Sequence, residues 1–307
     1  MSLPAMRAAR ARFPQAHITV TARAWVADLF EREPVADRVT DAAPHERFDT
    51  ALLLPNSFRS AWQAWRAGIP RRIGYARDGR SLLLTQPVAV PRRGQIPEHQ
   101  SYYYLELLRR AGWIEGLPEN ALIRLDGLDA ARGAGLARFR KEGLGESVIG
   151  VSPGAAFGGA KRWPAERFAE AASRLAREVG GAIAVFGSEA ERGICEAVAS
   201  ALNGARVRNY AGATSLGEFI ERAAACAVFL TNDSGAMHIA SAAGAPVVAV
   251  FGATNDAATG PTGPVTRVIR EPVDCSPCML RECPIDHRCM IGVTPERVAN
   301  VALELLK

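Results

Sequence analysis

Residues 228–252, VFLTNDSGAMHIASAAGAPVVAVFG, constrain the fold more than any other stretch of the chain. The apolar run at 227–230 stops at Thr231, Asn232, Asp233, Ser234 and Gly235, a cluster of capping and turn residues. Small, helix-compatible residues follow to Gly244, then Pro246 leads a second buried-type strand, VVAVF. This order predicts strand, tight polar turn, helix, strand. A helix starting at the carboxyl end of a parallel strand points its unpaired N–H groups to where α/β proteins bind ligands. Those donors and the helix dipole suit an anion, above all a phosphate or diphosphate. Gly235 permits close approach of a ligand to the backbone, and Ala236 keeps the next position small. A plainer reading stands beside this one: Asp233 or Ser234 as an N-cap, Gly235 as a turn residue, His238 as a satisfied polar group on a packed helix.

The same alternation runs through the second half. A strand at 148–151 meets the turn Ser152-Pro153-Gly154, and a helix from Pro164 carries Phe168, Ala171, Ala172 and Leu175 on one face. A strand at 182–186 ends at Gly187-Ser188-Glu189 and leads into a helix to about Leu202. A weaker strand at 207–212 precedes the capping box Ser215-Leu216-Gly217-Glu218. Repeated βαβ units imply a doubly wound parallel sheet with right-handed crossovers. The first half is α/β but more ragged. Strands are expected at 18–20 and 50–54, a helix at 102–111, and a surface loop at 86–100, where Pro87, Pro91, Gly94 and Pro97 fall. Gly143-Leu144-Gly145 marks a hinge, which gives domains of 1–145 and 146–307.

At 307 residues the chain has room for two domains, and 48% hydrophobic with 22% charged residues describes a soluble globular protein. No run approaches the ~20 apolar residues of a transmembrane helix. Arg7, Arg10 and Arg12 interrupt what would be the apolar core of a secretory signal, so the expected compartment is the cytoplasm. A net charge of +5 favours anionic partners such as nucleotide diphosphates or a phosphorylated membrane surface, although an ordinary Arg-rich composition explains it equally. Nothing in the chain points to nucleic acid.

Asp233, Ser234, Gly235, His238, Pro246, Gly252 and Thr254 together form D-S-G-x-x-H, a small-residue helix, a Pro-led strand and Gly-x-Thr. This pattern resembles the nucleotide-sugar signature of the ADP-heptose:lipopolysaccharide heptosyltransferases, glycosyltransferase family 9. The resemblance implies a GT-B fold, two Rossmann-like domains facing a cleft. It also implies inverting, metal-independent transfer of heptose from ADP-heptose to the inner core of lipopolysaccharide. The loop Gly154-Ala155-Ala156-Phe157-Gly158-Gly159-Ala160-Lys161-Arg162-Trp163-Pro164 resembles the family's P-G-A-x-x-G-x-A-K-x-W-P motif, whose lysine is assigned to the donor phosphates. A flexible Gly-rich loop can fold over a ligand while Lys161 offers a point charge. Alternatively, Lys161 is a solvated loop residue and Trp163 a packed plug.

By the same resemblance, the acidic residue of Ser188-Glu189 accepts hydrogen bonds from ribose hydroxyls, and Asp233 contacts donor-sugar hydroxyls. The alternative for Glu189 is a helix N-terminal carboxylate stabilised by the dipole. The expected substrate-binding set is Lys161, Ser188, Glu189, Asp233, Ser234, Gly235, Ala236 and His238.

Residues 1–14 resemble the family's first helix. In relatives a buried strand and a Gly-Asp loop precede that helix, and the loop's Asp is the proposed general base. The chain begins inside the helix, so the N-terminal domain is expected to be incomplete and no residue present is assigned as catalytic; Asp49 or Asp78 would be guesses. A misassigned start codon would produce such a sequence. The expectation is a polypeptide less active and less stable than one extended by about 20–25 residues, a helix plus a strand.

Cys275, Cys278, Cys283 and Cys289 are spaced C-x2-C-x4-C-x5-C with His287 alongside. Such a cluster can wrap a structural zinc, form disulfides, or stay reduced. Similar clusters occur in the heptosyltransferase II branch of the family, which makes that branch the nearest in pattern. No cofactor is expected for catalysis. Cys195 and Cys226 fall in helical segments and read as inert thiols. Arg59, Arg66, Arg71 and Arg72 with Trp62 and Trp65 form a basic-aromatic stretch suited to the phosphorylated acceptor at the inner face of the membrane, where the protein would be peripheral. The ordinary expectation is that both tryptophans pack inward.

Rival functions remain: a non-catalytic nucleotide-sugar-binding protein, or another ADP- or UDP-sugar GT-B glycosyltransferase. A nicotinamide or flavin enzyme would need an early G-x-G-x-x-G after a strand, and no convincing one is present.

Overall fold

The computed structural model describes residues 1–41, 46–202 and 204–307, which divide into two compact units, 1–122 and 123–307.

The elements of the first unit come first in chain order. Those are α1 (Leu3–Arg12), β1 (Thr19–Thr21), α2 (Ala27–Phe30), β2 (Arg38–Thr40), β3 (Thr50–Leu53), α3 (Phe58–Arg66), β4 (Arg71–Tyr75), β5 (Gln86–Val88) and α4 (Gln100–Arg110). The second unit then contains α5 (Leu128–Lys141), β6 (Val148–Ser152), α6 (Ala165–Val179), β7 (Ala182–Val185), α7 (Arg192–Ala201), β8 (Val207–Asn209) and α8 (Leu216–Ala225). It continues with β9 (Val228–Asn232), α9 (Gly235–Ala242), β10 (Val247–Phe251), α10 (Asp256–Thr259), β11 (Thr266–Arg270), α11 (Arg288–Ile291) and α12 (Pro295–Glu304).

All pairings in the second unit are parallel, in the order β11-β10-β9-β6-β7-β8. Every residue of β6, β7, β9 and β10 is buried, as a sheet covered on both faces requires. Side chains alternate between two cores. Ile149, Val151, Val228, Leu230, Val248 and Val250 meet Phe168, Leu175 and Val298 on one face, while Phe229, Val247 and Phe251 meet Phe186 and Met237 on the other. The chain leaves β6 toward β7 and β8, then returns to the opposite side of β6 through β9. The order therefore reverses between β6 and β9, and the loops leaving their carboxyl ends diverge there and open a crevice. Their register places Ser152 beside Thr231, so both strands end level at that crevice.

Helix α5 packs with this unit. Arg138 holds Glu218 at 2.9 Å and Glu221 at 2.8 Å, and a Cβ at buried Gly135 would collide with the Glu221 carbonyl. It lies on the other side of the 145/146 hinge read from the sequence.

The first unit has two described parallel sheets, β1-β2 and β3-β4-β5, of strands three to five residues long and only partly buried. Residues 86–88, expected in a loop, pair with β4; Pro87 has no N–H to offer the ladder and sits on this edge strand, where a missing donor is tolerated. Ala5 and Ala9 of α1 share a core with Leu105, Leu107 and Leu108 of α4. Helix α3 corrects the inward packing expected of its tryptophans. It buries Ala61 and Ala64 over Leu53, Ile69 and Leu84, while Trp62 and Trp65 are 39% and 52% exposed. Small residues on the inner face let the helix approach the sheet closely, which leaves no depth for an indole there.

Candidate functional site

The polar turn and the Lys161 loop meet at the carboxyl ends of β6 and β9. Ser234 is the N-cap of α9: its backbone is extended, and its Oγ accepts the Met237 N–H at 3.4 Å. The capping alternative thus holds for Ser234. Asp233 has a different task. Its Oδ2 accepts from Lys161 Nζ at 2.5 Å and from Thr254 Oγ1 at 2.6 Å, and its side chain is only 6% exposed. A carboxylate this buried needs such partners, because an unpaired one would carry a large desolvation cost. Gly235 is exposed and nothing lies within 4 Å of where a Cβ would stand, so the space over the helix start is open. Ala236 and His238 are half-buried on the first turns of the same helix.

Asn232 clamps the Lys161 loop at both ends. Its Nδ2 donates to the Pro153 carbonyl at 2.7 Å, and its Oδ1 accepts the Trp163 N–H at 3.0 Å. Trp163 is completely buried, edge-on to Phe168 with centroids 4.8 Å apart, and its indole N–H donates to the Val293 carbonyl at 3.0 Å. The packed-plug reading holds for Trp163, but the solvated reading of Lys161 does not. Lys161 is 13% exposed, paired with Asp233, and stands 4.8 Å from the Phe157 ring centroid. Nor is the loop a free flap: residues 158–163 are tied along the backbone to the cysteine-bearing segment and to Asn232. Asn232, Phe157 and Thr254 were not singled out for the site by sequence reasoning, except Thr254 as part of the Gly-x-Thr pattern. Their only signal was proximity to the motif residues.

Ser188 and Glu189 lie at the end of β7, outside this cluster of contacts. Ser188 forms a capping box, in which its N–H and Oγ–H donate to Glu191 Oε2 at 2.9 and 2.8 Å. Glu189 is largely exposed and pairs with Arg192, whose hydrogen bond holds the carboxyl below the usual glutamate range. Glu191 is the carboxylate nearer the Lys161 loop: a Cβ on Gly154 would collide with it. The Ser-x-x-Glu spacing was the available signal for that residue.

All six cysteines are free thiols. Burial pushes Cys195 up to about 12 and raises Cys226 as well, which suits the inert role expected of both. Cys275 is exposed, Cys278 and Cys283 half-buried, and Cys289 buried. Burial, then the neighbouring Cys275, Cys278 and Cys283, raises the Cys289 thiol. Among the described residues, no group of three His, Cys, Asp or Glu side chains is arranged to hold a metal ion. The four sulfurs, as placed, do not form the tetrahedral site that their spacing allows. Asp49 is exposed, and Asp78 is exposed and 3.5 Å from Arg77, so neither is held as a buried base. No described helix is long and apolar enough to cross a membrane.

The model of glycosyltransferase family 9 (heptosyltransferase) matches residues 39–288. Lipopolysaccharide heptosyltransferase 2 of Escherichia coli K12 is 32% identical over 336 residues, spanning 100% of this chain and 94% of that protein. Lipooligosaccharide heptosyltransferase 2 of Haemophilus influenzae is 30% identical over 326 residues, 96% of this chain and 92% of the relative. The solved structure of E. coli ADP-heptose LPS heptosyltransferase II superposes with a TM-score of 0.84 at 32% identity, covering 99% of this chain and 94% of that one. The expected α/β class with parallel sheets is that of these GT-B heptosyltransferases.

Proposed function

The chain belongs to glycosyltransferase family 9 and is a glycosyltransferase of the heptosyltransferase kind, and from that premise we propose that it moves heptose from ADP-heptose to the inner core of lipopolysaccharide. The observation that carries the donor assignment is the convergence of Lys161, Asp233 and Thr254 beside the Ser234-capped start of α9. In the transfer, an acceptor hydroxyl forms a bond to the anomeric carbon as the bond from that carbon to the diphosphate breaks, and the hydroxyl's proton passes to water, no described residue being assigned as its base. Negative charge grows on the departing ADP. Lys161 Nζ and the first N–H groups of α9 stabilise that charge without reorganisation, since their positions are set by the fold. Asp233 keeps Lys161 extended toward the helix start before the donor arrives, and its carboxylate accepts hydrogen bonds from donor-sugar hydroxyls. Ser234, Gly235, Ala236 and His238 form the wall around the diphosphate and sugar. Ser188 and Glu189, together with Glu191 against Gly154, are assigned to the ribose end.

ADP, UDP and NAD, each added in a thermal-shift assay, separate the donor classes. ADP alone is expected to raise the melting temperature, and a preference for NAD would overturn heptosyl transfer. Lys161→Ala should weaken ADP binding about 10- to 100-fold, the value of a charge-assisted hydrogen bond. Unchanged affinity would remove the phosphate role.

The acceptor is proposed to be reached at the inner face of the membrane, with the protein peripheral there. The acceptor side is proposed to lie in residues 1–122 and the donor side in residues 123–307, since α5 packs with the second unit rather than across the 145/146 boundary expected from the sequence. We also propose, on the C-x2-C-x4-C-x5-C spacing alone, a structural zinc at Cys275, Cys278, Cys283 and Cys289, which requires the four sulfurs to draw together from their placement here. Metal analysis on freshly reduced protein is expected to find about one equivalent, and less than about a tenth would refute it.

A further inference from the structure

The segment that carries the clustered cysteines also crosses the Lys161 loop, and its contacts there are specific. The loop bends through Gly158, whose φ of +156° excludes most side chains, and a Cβ at this position would collide with the Arg281 carbonyl. The single turn Gly159–Lys161 follows, without any side-chain cap of its own. Its backbone groups are satisfied from the other segment. The Gly159 N–H donates to Glu282 Oε1 at 2.9 Å, and the Ala160 N–H donates to the Arg281 carbonyl at 2.9 Å. At the next peptide, Ala160–Lys161, His287 Nε2 lies 3.0 Å from the Ala160 carbonyl, at donor distance. The Arg162 N–H returns to the Gly159 carbonyl at 2.9 Å, and Trp163 is held by Asn232. The crossing segment is itself fixed at its start, where the Met279 N–H donates to the Ala253 carbonyl at 2.7 Å, one residue before Thr254. One end of this bracing therefore touches the peptide next to Lys161, and the other the peptide next to the hydroxyl that binds Asp233.

These bonds decide how the loop can recognise an anion. The N–H groups of residues 159, 160, 162 and 163 already have protein acceptors within 3.0 Å, so they are not the cradle for a phosphate that a Gly-rich loop often supplies. The loop's contribution falls on the Lys161 side chain, whose value depends on where its Cα is held. A displacement of an ångström at a positioned charge is enough to lose most of its effect.

We propose that Glu282 and His287 are positioning residues for donor binding: they fix the Gly158–Lys161 turn and thereby aim the Lys161 ammonium. Neither residue needs to touch the donor. The inference rests on the donor-site reading of Lys161, and the test separates the two. Glu282→Ala removes the acceptor for the Gly159 N–H, whereas Glu282→Gln keeps an oxygen at the same reach and loses only the charge.

The expected result for Glu282→Ala is a roughly tenfold rise in the dissociation constant for ADP and in KM for the ADP-sugar, with KM for the acceptor unchanged. Glu282→Gln should stay within about twofold of the parent. In a Lys161→Ala background, Glu282→Ala should have no further effect, because the residue acts through the lysine. Amide exchange of residues 158–162 should be faster in Glu282→Ala, with that of residues 228–242 unchanged. If Glu282→Ala fails to fold, Glu282→Asp, one methylene shorter, carries the same measurements.

If Lys161→Ala itself leaves ADP affinity unchanged, the donor-site reading fails and this proposal with it. If Lys161→Ala weakens ADP but Glu282→Ala does not, the positioning role alone is overturned. It is likewise overturned if the two substitutions add fully, or if donor and acceptor constants worsen together with a lowered Tm.

Discussion

In the second unit, Trp163, Phe168, Phe186, Phe229 and Phe251 are all buried, whereas in the first unit Trp25, Phe58, Trp62 and Trp65 are between 39% and 64% exposed. The difference follows from the sheets. Four fully buried strands in the second unit need bulky groups on both faces to fill the space beneath helices. In the first unit α1 and α3 approach on alanines, and Tyr75 and Tyr102 are its large buried aromatics, while Trp25, Phe58, Trp62 and Trp65 remain outside. Charge is buried in both units, at Glu33, Arg80 and Glu106 in the first and at Arg222 and Asp233 in the second. Lys161 and Asp233 are nearly enclosed in the second unit, held by each other and by the Thr254 hydroxyl, while Arg59, Arg66 and Arg71 stand at the surface of the first. The Lys161–Asp233 pair stands at the carboxyl ends of fully buried strands, where neighbouring groups cannot relax away from it.

The comparison is most exposed to failure at Trp163. Trp163→Ala should destabilise the second unit by about 3–5 kcal/mol, chiefly through the cavity it leaves, since the Val293 carbonyl keeps the Arg167 guanidinium as a donor. Denaturant unfolding measures this, and a loss under about 1 kcal/mol would mean that the packing is not the source of rigidity. Thr254→Val comes next, at about 1–2 kcal/mol, because it deletes a hydrogen bond to a buried carboxylate while keeping its shape. It should also loosen Asp233, which calorimetry of ADP binding would register as a weaker affinity.

A smaller, pH-dependent effect belongs to the first unit, at Glu106, one of its buried charges. Hydrogen bonds from Arg109 and then Arg110 hold this buried carboxyl below the usual glutamate range. The unfolded chain binds this proton more readily, so the stabilisation is complete above the ordinary glutamate pKa and disappears as pH falls through the lowered one. Glu106→Gln should therefore flatten the acid limb of the stability profile, and an unaltered limb would count against the pairing. Smallest of all, Trp62→Ser and Trp65→Ser should each change stability by no more than about 0.5 kcal/mol. A loss of 2 kcal/mol or more would show that these indoles pack in solution and would erase the contrast between the units.

Much of the second unit was legible because its strands are continuous apolar runs bounded by turn residues. In the helix start at Ser234 and the capping boxes at Ser188 and Ser215, the partners of each cap are three residues apart, where local chemistry decides the conformation. The strands Arg71–Tyr75 and Thr266–Arg270 were not legible, since RRIGY and TRVIR carry arginines that mask a strand pattern. Helix α3 misled for a related reason: its aromatic residues recur at helical spacing, and periodicity reports that a face exists without saying which face is covered. Glu189 and Glu191 show the same limit. Both are acidic and two residues apart, yet one turns to Arg192 and the other to Ser188 and Gly154.

The residue order alone determined the alternation of strands and helices, the capped turn at 231–235, and the lysine at the end of a Gly-rich loop, because each depends on neighbours a few bonds away. Only the tertiary structure decided that Lys161 and Asp233, 72 positions apart, share a hydrogen bond. It also decided that the cysteine-bearing segment holds the loop that carries the lysine. Parallel crossovers bring such distant segments to one sheet edge, and register, which no local pattern encodes, settles which of their side chains meet.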